Sequence, residues 1–125
     1  MRVAITVSHM LVRVLGVLLL ILGILIWAEG AAGLIPWHML IGLVFVIALI
    51  VLAAVSVRAG APVGMATGAA VLAILVLVLG MTQTGLMPGG VHWVIQVLHL
   101  VLGMAAVGIG EAIGGRLRRI RLAGA

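Results

Sequence analysis

Two histidines recur in one pattern. His38-Met39-Leu40-Ile41-Gly42 and His99-Leu100-Val101-Leu102-Gly103 both read His-x-x-x-Gly. On a helix, a residue four positions on shares the same face. Gly42 and Gly103 therefore leave room for a flat macrocycle one turn from each imidazole. Two neutral imidazoles that face each other can fill both axial positions of a haem iron. None of the 125 residues is cysteine. Disulfides, thiolate metal sites, iron–sulfur clusters and covalent c-type haem attachment are thereby excluded. What the inventory permits is haem b, held by ligation and packing alone. The plainer reading has each histidine capping or snorkelling near a helix start, with glycine present for close helix packing.

The other polar side chains are few enough to weigh singly. His92, Gln96 and His99 form a stripe on one helix face. That stripe suits an outer proton path, a quinol-binding edge, a propionate contact, or simple interhelical hydrogen bonds. His9 opens the first apolar segment, where a solvated imidazole needs no special role. Arg13 and Glu111 each lie about one turn inside an apolar run at the same end. An intramembrane charge usually finds its opposite, so they predict a structural ion pair; a proton relay through Glu111 is the alternative. Glu29 stands beside Trp27 in a loop, solvated or available to a cation or to His92. Aspartate is absent, so no Ser–His–Asp set exists, and no phosphate-cradling loop occurs. Hydrolase and kinase chemistry are excluded. The seven methionines are scattered and fill space rather than line up for copper.

These residues need elements to position them, and the composition says which. Hydrophobic residues make up 66% and charged residues 7%, against about 25% charged in soluble domains. Apolar runs of about 20 residues match roughly 30 Å of hydrocarbon. Four spans follow, at about Met10–Ala28, His38–Val57, Val63–Met81 and Val91–Ile113, as one transmembrane domain over 1–125. Each break contains glycine and proline, and lipid offers no partner to open backbone, so each span is helical. The fold class is an all-α integral membrane four-helix bundle.

All seven arginines fall at one end of these spans, and Trp27, Trp37 and Trp93 at the other. Arginine marks the cytoplasmic side and indole rings the interface, which puts both termini in the cytoplasm. The net charge of +5 thus reflects topology, with no call for nucleic acid. A cleaved leader is disfavoured by the length of the first span and by Arg13 within it. His38 precedes Arg58 by 20 residues and His99 precedes Arg116 by 17. At about 1.5 Å per residue the two imidazoles lie within roughly one turn in depth.

The chain also resembles itself. Gly33-Leu34-Ile35-Pro36 matches Gly85-Leu86-Met87-Pro88, and each precedes one of the His-x-x-x-Gly segments. A duplicated two-helix hairpin is expected, with spans two and four parallel. Gly60, Gly64 and Gly68, at spacing four, predict a small-residue face for a helix of this chain, of a second copy, or of a larger complex.

With His38, Gly42, His99 and Gly103 in place, the chain resembles small bacterial b-type membrane cytochromes with bis-histidine haem. The resemblance is one of architecture and covers spans two and four. It implies one haem b, an electron-transfer or quinone-linked role with a quinone or redox-protein partner, and the bacterial cytoplasmic membrane. It departs from two-haem cytochromes because His9 and His92 lie near opposite faces and form no second pair. Two other roles compete: a non-catalytic accessory subunit of a larger membrane complex, and a small-solute or proton transporter. Four-span multidrug transporters are similar in size only, since they place a glutamate within span one. Dual-topology fluoride channels lack so complete an arginine bias.

Overall fold

The computed structural model describes residues 1–123. Four helices run α1 (Arg2–Ala28), α2 (Ile35–Arg58), α3 (Val63–Thr82) and α4 (Trp93–Ala123), with short 3-10 turns at Ala32–Leu34 and Gln83–Gly85. All four are long and apolar enough to cross a membrane. No strand occurs among the described residues.

The turns explain where helices stop. After α2 the Gly60 amide donates to the Val57 carbonyl and the Ala61 amide to Ser56, each at 3.0 Å, with Gly60 at φ +88°. This left-handed close satisfies the last carbonyls, and Pro62 then prevents the helix from continuing. Gly60 is therefore required by the turn. The small-residue face expected from Gly60, Gly64 and Gly68 is accordingly divided. Gly60 is outside any helix, Gly64 faces open space, and Gly68 packs on Ile109 of α4 in the same chain.

Each helix packs on its chain neighbours, α4 closes back on α1, and α2 and α4 also touch across the middle. The centre is small and aliphatic. Val12, Leu49, Leu52, Ala69, Ala73, Ala106 and Ile113 are fully buried. Large apolar side chains such as Ile21, Ile47, Ile74 and Val101 point outward, as a lipid exterior permits. Hydroxyls in this setting are satisfied locally. Ser56 donates to its own helix at Ala53, and Ser8 donates to the Ala4 carbonyl, which spares the unmade hydrogen bond that lipid would penalise.

Glycines let α1 and α4 approach closely. A methyl group added at Gly16 would fall 2.5 Å from Val107, and one at Gly110 would fall 2.6 Å from Val12. Each valine thus seats in the other helix's glycine notch, the small-residue device of membrane helices. The seam uses glycines of α1 and α4. Below it both helices run past the apolar spans read from sequence, to Arg2 and Ala123, with Ile5 and Leu117 buried at that end.

Candidate functional site

His38 is in the first turn of α2 and His99 in the second turn of α4, both near the tryptophan end. Their ring centroids are 6.2 Å apart with planes inclined at 54°. Both Nδ1 atoms are buried and without a hydrogen-bond partner. A buried polar atom left unpaired costs about 1–3 kcal/mol, so two together call for an explanation. The spacing would suit a metal shared between the rings. Two metal–nitrogen bonds of about 2 Å, plus the reach from each nitrogen to its ring centre, come to roughly 6 Å.

A glycine of the neighbouring helix lies against each ring, closely at Gly80 and at ordinary contact distance at Gly23. A methyl at Gly80 of α3 would lie 2.9 Å from His99 Cε1, and one at Gly23 of α1 would lie 3.5 Å from His38 Cε1. Each hairpin thus seats the histidine of its second helix against a glycine of its first. Gly42 and Gly103 face elsewhere. Their added methyls would meet Leu19 and Val76 at ordinary contact distances of 3.8 and 3.9 Å. The signal that could have found Gly23 is register. Counted from the turn, Gly23 and His38 stand at similar height on antiparallel helices.

The outer polar stripe is broken at its top. His92 precedes the first residue of α4, and its Nδ1 donates to the Leu86 carbonyl at 3.1 Å. It ties the second outer loop instead of continuing the face of Gln96 and His99. Gln96 is half-buried on the first turn of α4, and Glu29 is exposed at the end of α1.

A second cluster sits at the arginine end. Arg13 grips Glu111 with both ends of its guanidinium, Nε to Oε1 at 3.0 Å and Nη2 to Oε2 at 2.6 Å. This is the bidentate geometry that arginine and carboxylate favour. His9 is not solvated as its position in the sequence suggests. Its ring presses on the Gly114 backbone, and Nε2 lies 3.3 Å from Glu111 Oε1. That nitrogen is buried and off-line for a hydrogen bond. His9 and Arg13 are four residues apart on one face, so whatever meets Arg13 also meets His9. Along α4 this cluster is about 18 Å from His99.

Among the described residues no group of three or more metal-ligating side chains occurs. A bare transition ion usually takes three or four protein ligands, which two imidazoles cannot supply. A prosthetic group that brings its own equatorial nitrogens needs only two.

No known protein family, curated protein or solved structure matches this chain.

Proposed function

We propose that this chain is a b-type haem protein of the bacterial cytoplasmic membrane, with His38 and His99 as the two axial ligands. The observation that carries the reading is the 6.2 Å pair of imidazoles with buried, unpartnered nitrogens. The two-ligand count favours haem over a bare ion, and the absence of cysteine from the sequence makes it a non-covalent one. Haem b, when bound, supplies a reversible one-electron couple.

The chain's own residues define the rest. With haem bound, His38 and His99 would hold it from both sides and leave no ligand position open, which suits electron transfer rather than binding of a small gas. Gly80 packs closely on the His99 ring, and Gly23 lies beside the His38 ring. The site lies near the tryptophan end, so the electron partner, a quinone or a redox protein, engages from that side of the membrane.

An absorption spectrum of the detergent-purified protein, produced with ample haem supply, tests this directly. Sharp reduced α and Soret bands are expected, lost in His38→Ala and in His99→Ala and kept in His92→Ala. A colourless parent protein, or pigment unchanged in both ligand variants, would overturn the reading and leave the accessory-subunit role in its place.

A further inference from the structure

We propose that a recess at the arginine end binds one anionic phospholipid, its phosphate held between Arg2 and Arg121. The recess has a volume of about 160 Å³ and lies between the start of α1, the α2–α3 turn at Ala59 and the end of α4. Its floor is apolar, made by buried Ile5 and Leu117 with half-buried Ile120. Its rim carries the two exposed arginines.

Three observations select this occupant. The first is charge. Arg2, Arg58, Arg116, Arg118, Arg119 and Arg121 gather at this end, and the one acid near it, Glu111, is already held by Arg13. Among the described residues no carboxylate pairs with Arg2 or Arg121.

The second is depth. Counting about 20 residues inward from Trp27 and from Trp93 places the hydrocarbon edge near Val7 and Ile113. Ile5 and Leu117 then lie about 3–6 Å beyond that edge, at the level of lipid phosphates. Arg2 and Arg121 lie slightly deeper toward water, with side chains long enough to reach back.

The third is the pairing of chemistries. Guanidinium groups bind phosphate through paired N–H donors, and the apolar floor suits the glycerol and first acyl carbons. A free phosphate would gain nothing from that floor. The positive-inside rule accounts for arginines at this end, but not for two of them flanking an apolar recess. Basic pockets between helices on the cytoplasmic side are a known setting for anionic headgroups. The proposal is independent of haem.

The test uses the full chain in neutral detergent, titrated with dioleoyl-phosphatidylglycerol, with dioleoyl-phosphatidylcholine, or with inorganic phosphate. Native mass spectrometry counts bound lipid, and helical circular dichroism follows thermal unfolding. One phosphatidylglycerol is expected to bind and raise the unfolding midpoint, with no such effect from phosphatidylcholine or phosphate. Arg2→Gln/Arg121→Gln should weaken binding at least tenfold. Arg118→Gln/Arg119→Gln removes the same charge away from the recess and should leave binding within about twofold. Ala59→Phe fills the recess with every arginine in place. It should abolish the adduct, and so keeps the test decisive if the first double variant does not fold. Equal losses in the two arginine pairs would reduce the effect to diffuse surface charge and overturn the site. Stabilisation by inorganic phosphate equal to that by the lipid would also overturn it, as would an Ala59→Phe variant that binds normally.

Discussion

Gly80 and Gly103 give opposite answers to the same substitution. Alanine is favoured over glycine in a helix by about 1 kcal/mol. At Gly103 the new methyl meets Val76 at 3.9 Å, so Gly103→Ala should be neutral or stabilising by up to that amount. At Gly80 the methyl would fall 2.9 Å from His99 Cε1, and displacing a packed ring costs about 1–3 kcal/mol. Gly80→Ala should therefore be net destabilising in detergent unfolding. It should also move His99 off its position. With haem bound, the reduced spectrum of Gly80→Ala should lose its sharp low-spin bands, while Gly42→Ala and Gly103→Ala keep them. A Gly80→Ala protein with the parent's spectrum would detach this glycine from the site. The paired histidines could be read from the chain because both copies of the pattern are local. The glycines behind them could be found only by comparing register across two helices, because that contact leaves no mark within either.

At the scale of elements, the α1–α4 seam makes its own predictions. Gly114→Ala would put a methyl into the His9 ring, whereas Gly115 has open space around its position. Gly114→Ala should be the more destabilising of the two, by about 1–3 kcal/mol, and His9→Ala should rescue it in the double variant. Full additivity instead of rescue would show that the two residues do not meet. The neighbouring ion pair calls for a cycle of its own. Arg13→Gln/Glu111→Gln should cost less than the two single changes added together, because each single variant strands the other charge in the seam. Arginine and glutamate could be matched in the sequence because charges inside apolar runs are rare enough to stand out. The four helices could be read for the same reason. Which face each helix buries could not, since lipid-facing positions such as Ile47 and Val101 are as apolar as buried Leu49 and Ile113. The ends of α1 and α4 ran past the reading too. Hydropathy stops at the arginines, while the helices continue because Ile5 and Leu117 are buried there.

At the scale of the whole molecule, charge and helix direction agree. Both helical ends at Arg2 and Ala123 belong to the end that carries the arginines, and the three tryptophans mark the other. The absence of native cysteine makes this simple to check with single-cysteine variants. Glu29→Cys and Gly89→Cys should react with a membrane-impermeant maleimide in intact cells with a permeabilised outer envelope. Ala59→Cys and Leu122→Cys should react only after lysis. Labelling of both sets from one side would mean that the chain inserts both ways.

A fixed orientation, if the labelling bears it out, would also restrict symmetry. A two-fold axis lying in the membrane plane would turn one copy over and carry its arginines to the opposite side, against the positive-inside preference. Each such charge is worth about 2.3 kcal/mol per 100 mV of membrane potential. With a fixed orientation, a homo-oligomer of this chain would be cyclic about an axis along the membrane normal, with every His38–His99 pair at the same face of the bilayer.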